Sequence, residues 1–217
     1  INATATAANY AITVVPGTLT ITAALPAPAP ASYTPKSATS TTVTWTQVPN
    51  ADAYVVKVSG VDKCTSTGTS CNVPMLLGPK ANVTVTAIAD AGTVKSEAAP
   101  ATYVSTGKRI AIVTIYFDVN KYNLDAADKT TLLSAVNIVT SQGFNRVYIA
   151  GHTDDQGGAK NAINLGNQRA QSTGNFLDEY LDVTLDSKSF GETDPAASNT
   201  TKAGQAKNRR AVVYIQA

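Results

Sequence analysis

The apolar residues of this chain change their spacing near Gly107, and that change restricts the fold more than any other feature. Upstream, apolar positions recur at every second residue in short runs, the period of strands with one buried face. Downstream, strand-like runs alternate with stretches whose apolar residues recur at helical spacing. A chain of 217 residues has room for one or two domains. The two patterns predict an all-β domain followed by an α+β domain.

The upstream half carries only strand and turn signals. Ser40–Thr46 alternates Val43 and Trp45 with threonine, Ala53–Ser59 places Tyr54, Val56 and Val58 on one face, and Ala81–Ala89 does the same with Val83, Val85 and Ala87. Thr93-Val94 and Tyr103-Val104 are shorter strand candidates, and turn residues stand at Pro49-Asn50, Gly60, Gly78-Pro79 and Ala91-Gly92. Short strands at this spacing predict a β-sandwich over residues 31–106. The run from Thr42 to Val56, with Trp45 and Tyr54, resembles a fibronectin type III domain, in which both aromatics fill the core. Trp45 alternates with Val43, so a core position is expected rather than a carbohydrate platform. Before this domain, Leu25-Pro-Ala-Pro-Ala-Pro reads as a semi-rigid polyproline linker over 25–30. Residues 1–24 read as two strands around a Pro16-Gly17 turn. They resemble the last hairpin of the tandem β-repeats of long bacterial surface proteins, and the text opens mid-pattern at Ile1, as the stump of a preceding repeat would.

Downstream, Ile110–Phe117 is a near-continuous apolar run, expected to be a strand buried on both faces. Leu124–Gln142 has apolar positions 132, 133, 136 and 139, Asp125 as N-cap and Gly143 past its end, the marks of a helix. Arg146–Ala150 is a second strand. Asn161–Leu181 is a second helix, expected to bury Ile163, Leu165, Ala170, Phe176, Leu177 and Tyr180. Ser187–Phe190 and Ala211–Ile215 close the series, giving a βαβαββ order with helices on one face of a mixed sheet.

Composition excludes several function classes. Charged residues make up 15% and the net charge is +2, against about 25% charged in average proteins, so no nucleic-acid partner is expected. No run approaches the roughly 18 apolar residues of a membrane span, and the text shows no signal-peptide pattern. The two cysteines, Cys64 and Cys71, lie seven apart around Gly68; they suit a disulfide closing a hairpin-like loop in an oxidising compartment. With one histidine far along the chain, neither a metal site nor a cofactor is expected.

The informative text is Gly151-His-Thr-Asp-Asp-Gln-Gly followed by Leu165-Gly-Asn-Gln-Arg-Ala. With Ile115-Tyr-Phe-Asp-Val-Asn-Lys, Phe190-Gly-Glu-Thr-Asp-Pro and Lys207-Asn-Arg-Arg, it resembles the OmpA-like peptidoglycan-binding domain over roughly residues 108–217. Domain boundaries are accordingly placed at 1–24, 25–30, 31–106 and 107–217. The resemblance implies a non-enzymatic domain in the cell envelope that grips the diaminopimelate of the peptidoglycan stem peptide. Asp154 and Arg169 stand as its central pair, fifteen residues apart. A diaminopimelate end group carries an ammonium and a carboxylate on one carbon. An aspartate and an arginine fork match those charges. Asn120 is expected to supplement Asp154, and Asn208 and Arg209 to close the carboxylate side, while Lys207 and Arg210 point to solvent. In one departure, Ala162 stands where the family carries an asparagine; Asn161 or Asn164 could substitute.

No catalytic arrangement is expected. His152 reads as strand-end packing, Asp154 and Asp155 are adjacent rather than facing, and no nucleophile motif is present. The rival readings are an adhesion or stalk protein whose C-terminal domain no longer binds the wall, and a murein hydrolase.

Overall fold

A computed structural model describes residues 10–15 and 18–217. They divide into two compact units: the first takes most of the chain up to Val104, while residues 35–38 and 76–80 group with 105–217 in the second. At the start of the first unit, β1 (Tyr10–Val15) and β2 (Thr18–Ala23) pair antiparallel, from Tyr10 opposite Ala23 to Val15 opposite Thr18. The expected Pro16-Gly17 turn and the residues before Tyr10 lie outside the described residues. The Pro/Ala run has no regular secondary structure, yet Leu25 and Pro28 are buried.

The rest of the first unit is a single β-rich sheet. Its strands are β3 (Ala31–Ser37), β4 (Ser40–Trp45), β5 (Ala53–Val58), β6 (Val61–Ser66), β7 (Ser70–Val73), β8 (Val83–Ala89), β9 (Val94–Lys95) and β10 (Ala99–Tyr103). They run in the order β6-β5-β8-β10-β3-β4-β7, with β9 beside β8. Strict alternation on β5 and β8 buries Tyr54, Val56, Val83, Val85 and Ala87, the period-2 logic of a half-buried strand. Trp45 is buried, its ring 5.2 Å from that of Tyr54, and the Tyr54 hydroxyl accepts a bond from the Val48 N–H at 2.7 Å. The sequence missed β6 and β7, which lack apolar alternation because both are edges of the sheet path. Cys64 on β6 and Cys71 on β7 form a disulfide with a Cα separation of 6.6 Å. It does not close a hairpin: β6 pairs with β5 and β7 with β4, so the bridge joins the two ends of the path into a barrel-like closure.

The second unit is a mixed four-stranded sheet with helices. Its strands are β11 (Arg109–Tyr116), β12 (Arg146–His152), β13 (Thr184–Gly191) and β14 (Arg210–Gln216), in the order β11-β14-β12-β13. Only β12 and β13 are parallel. The helices are α1 (Ala126–Gln142), α2 (Ala159–Asp178) and a short α3 (Lys202–Asn208) that the expected βαβαββ order lacked. The helices cover one face of the sheet, so β11 buries Ile110, Val113 and Ile115 and leaves Ala111 and Tyr116 exposed, against the expectation of a strand buried on both faces. At the start of α1, Asp125 and Asp128 form a reciprocal capping box, and Gly143 ends the helix at φ 75°, where a side chain would be strained.

The buried stripe of each helix differs from expectation. α1 buries Leu132, Ala135 and Val139, leaving Leu133 exposed. α2 buries Ala162, Gly166, Thr173 and Gly174 with Arg169, besides the expected Ala170, Phe176 and Leu177, while Ile163 is exposed, as is Tyr180 beyond the end of the helix. Small residues win this face because α2 lies very close to the sheet. A Cβ on Gly151 would overlap the Gly166 carbonyl, and one on Gly174 would come within 2.9 Å of Ser187 Oγ. Large side chains would hold the helix off β12 and β13.

Candidate functional site

At one edge of the sheet, the end of β12, the start of α2 and the α3–β14 junction converge with the turn that follows β11. The turn is built locally: Lys121 N–H donates to Asp118 O at 3.1 Å, and Asn120 sits at φ 58°, a conformation asparagine tolerates better than most residues. Asn120 is exposed and lines a groove of about 480 Å³ with Gln156, Asn161, Asn164 and Gln168. A second groove of about 490 Å³ is lined by Tyr116, Asp118, Asp125, Asp128 and Arg209.

Arg169 is fully buried, 0% exposed. Its guanidinium donates to the carbonyls of His152 at 2.7 Å, Lys121 at 2.9 Å and Asp118 at 3.3 Å, and Cζ stands 5.2 Å from the Phe117 ring centroid. Arg169, expected as half of the central pair, thus presents no surface of its own. Arg169 pins the 118–121 turn to the end of β12. Burial lowers its pKa to about 10, with Asp154 opposing and Arg209 adding to the shift, so it stays charged at neutral pH.

The direct partner of Asp154 is Arg209. The Arg209 Nη1 donates to Asp154 Oδ2 at 3.0 Å, and its Nε donates to the Phe117 carbonyl at 3.0 Å. Both side chains keep some surface, 13% for Arg209 and 9% for Asp154. Among the described residues, the second Asp154 oxygen receives one contact, the long 3.4 Å one from Gln156 N–H. The structure thus gathers Asp154, Arg169 and Arg209 into one charged group, with Asn120 on the adjoining turn.

Asn208 does not join them. It is buried, its Oδ1 accepts from Ala196 and Ala197 N–H at 2.8 and 2.9 Å, and its Nδ2 donates to Ala197 O and Asn199 Oδ1 at 2.8 and 2.7 Å. Its amide is saturated by the 196–199 loop, so it supports the site without facing a ligand. Arg210, expected in solvent, is buried and donates to Asp194 O at 3.0 Å; burial pushes its pKa down. Lys207 is exposed. Ala162 is buried, Asn161 donates to Gly157 O at 2.9 Å, and Asn164 is exposed in the groove. His152 is 1% exposed and stacked on Phe190 at 5.3 Å. Burial lowers its pKa to about 4, Arg210 reinforcing the shift and Asp194 opposing it. The sequence reading missed Gln156 and Gln168, which line the groove; for Gln168 the available signal was a polar residue one helical turn from Asn164, while Gln156, before the start of α2, carried none.

The OmpA family profile matches residues 116–209. The peptidoglycan-associated lipoprotein of Haemophilus influenzae is 30% identical over 102 residues, covering 46% of this chain and 67% of that protein. The peptidoglycan-associated lipoprotein of Buchnera aphidicola is 28% identical over 105 residues, covering 48% of this chain and 61% of that protein. The crystal structure of the peptidoglycan-associated lipoprotein from Burkholderia pseudomallei is 28% identical and covers 49% of this chain and 90% of that one, with a TM-score of 0.43.

Proposed function

The chain belongs to the OmpA family through its C-terminal domain, and from that premise we propose that this domain holds peptidoglycan non-covalently and anchors a cell-envelope protein to the wall. Its place is the periplasm, cell wall or cell surface, and its partner is the diaminopimelate of the stem peptide. The names of the relatives support the first part of this reading. The observation that carries the second is the charge trio. Two guanidiniums, Arg169 and Arg209, surround the one carboxylate of Asp154, which leaves a positive charge uncompensated within the trio. The carboxylate of a zwitterionic end group offsets that surplus locally, and its ammonium turns to the Asp154 oxygen that Arg209 does not hold. Arg209 receives the ligand carboxylate, Asp154 Oδ1 receives the ammonium, and Arg169 acts from beneath by its field and by holding the 118–121 turn. Asn120 and Asn164 extend the contact along the groove.

Insoluble sacculi and calorimetry with stem peptides test this. Arg209→Ala and Asp154→Asn should each weaken binding about tenfold or more, since each removes a charge-assisted bond. Free diaminopimelate peptide should bind best, the amidated form second and a lysine-type peptide last, with an overall gap on the order of 2 kcal/mol. Equal affinities for the three peptides would overturn the two-ended mechanism. The rival reading, a stalk protein whose domain no longer binds the wall, draws on the buried Ala162 and the saturated Asn208. Sacculi that fail to retain the wild-type protein would favour it.

For the upstream region we propose a fibronectin type III-like domain over 31–106, after a 25–30 linker. The strand groups β3-β4-β7 and β6-β5-β8-β10 and the Trp45–Tyr54 contact support it.

A further inference from the structure

The face of the four-stranded sheet opposite α1 and α2 carries a feature that the wall-binding reading does not use. Alternation along β12 sends Val147 and Ile149 to the buried side and Arg146 and Tyr148 to the other. There, a groove of about 340 Å³ is lined by Arg109, Arg146, Lys188, Tyr148, Phe190 and Tyr214. Arg109 Cζ lies 3.8 Å over the Tyr148 ring centroid, Arg146 Cζ lies 5.3 Å from the same ring, and Lys188 Nζ lies 5.2 Å from the Phe190 ring. The lining holds one carboxylate, Asp186, which pairs with Arg146 Nε at 2.8 Å. Among the described residues, Arg109 and Lys188 have no ion-pair partner. Exposed ion pairs contribute little to stability, and two guanidiniums sharing one ring repel each other.

We propose that this groove binds an acidic polysaccharide. A guanidinium stacked on an aromatic face keeps its in-plane N–H fork open, which suits a carboxylate or phosphate. The Tyr148 and Phe190 faces are taken by the cations and by His152, so Tyr214 in the same lining is the ring that packs against the C–H face of a sugar. Three cations against one carboxylate supply the charge complement. A bilayer surface fits less well, because none of the large exposed apolar side chains lines the groove and nothing there would insert. The site is separate from the Asp154 trio and does not depend on it.

Calorimetry of the full chain at fixed low ionic strength tests the proposal with three probes. Polygalacturonate supplies sugar rings and carboxylates, its methyl ester supplies the rings alone, and polyglutamate supplies the charges alone. Polygalacturonate should bind at least about tenfold tighter than either control. The Arg109→Ala/Arg146→Ala pair and the single Lys188→Glu, an exposed position, should each remove about tenfold or more, whereas Lys207→Ala should not. Equal binding of polyglutamate would reduce the site to general charge, and equal binding of the ester would remove the role of the arginines. Unchanged affinity in Lys188→Glu and in a folded double variant would place any binding elsewhere. Each of these results overturns the proposal.

Discussion

Arg169 donates to three main-chain carbonyls and has no exposed surface, so its removal acts on the fold before it acts on a ligand. Arg169→Ala leaves those carbonyls unpaired and opens a cavity. A loss of roughly 3 kcal/mol or more is expected in urea unfolding of the C-terminal domain. Arg169→Lys should recover little of it, because an ammonium cannot reproduce the planar fork. Stability equal to wild type in either variant would show that the turn is held by other bonds. Arg209, partly exposed and joined to Asp154, is the better probe of binding. His152 belongs to the same scale. Its folded pKa of about 4 lies below the ordinary 6.5, so between these values the unfolded state binds a proton that the folded state refuses. Stability should therefore fall as pH drops from about 6.5 to 4, by roughly 3 kcal/mol at most, and level off below. His152→Phe should flatten that segment of a urea-midpoint series. An unchanged slope would assign the pH dependence to other groups.

Among the elements, α2 decides the geometry of the site because it carries Arg169 and rests almost directly on β12 and β13. Gly151 faces the backbone carbonyl of Gly166, which cannot rotate away, whereas Gly174 faces the hydroxyl of Ser187, which can. Gly151→Ala should therefore cost about 1–3 kcal/mol and Gly174→Ala less. Chemical denaturation of the two variants gives the order directly, and the reverse order would mean that the helix shifts easily. If α2 moves outward in Gly151→Ala, the 118–121 turn loses its Arg169 pin, so sacculus retention should fall together with stability.

For the whole molecule, the Cys64–Cys71 bridge joins strands at opposite ends of the first unit's sheet path. Thiol titration of denatured, unreduced protein should find no free thiol. Reduction should lower the stability of the first unit by about 2–3 kcal/mol, from the added freedom of its unfolded chain. Trp45 is the one tryptophan and lies in that unit, so its fluorescence follows this transition. An unchanged midpoint after reduction would show that the path closes without the bridge.

Much of this was legible in the sequence because it depends on local chemistry. Period-2 alternation marked β4, β5 and β8, the Asp125 and Gly143 caps bounded α1, and the ordered motifs around Asp154 and Arg169 singled out the sheet edge. What only the tertiary structure decided is which side chains face water and which partners they meet. Ile163 looks like a core residue by spacing, but the first half of α2 presses so closely on the sheet that glycine and alanine take its buried stripe, and Tyr180 falls beyond the end of the helix. Arg169 and Asn208 look like ligand groups by type, but the turns around them leave carbonyls and N–H groups that need partners, and these side chains supply them. The pairing of Asp154 with Arg209 joins residues 55 apart in sequence. The Cys64–Cys71 disulfide was legible from its seven-residue spacing, but not that its two strands pair with β5 and β4 at opposite ends of the sheet path. Long-range closure of this kind is set by how the strands are ordered in space, and the alternation within each strand carries no record of that order.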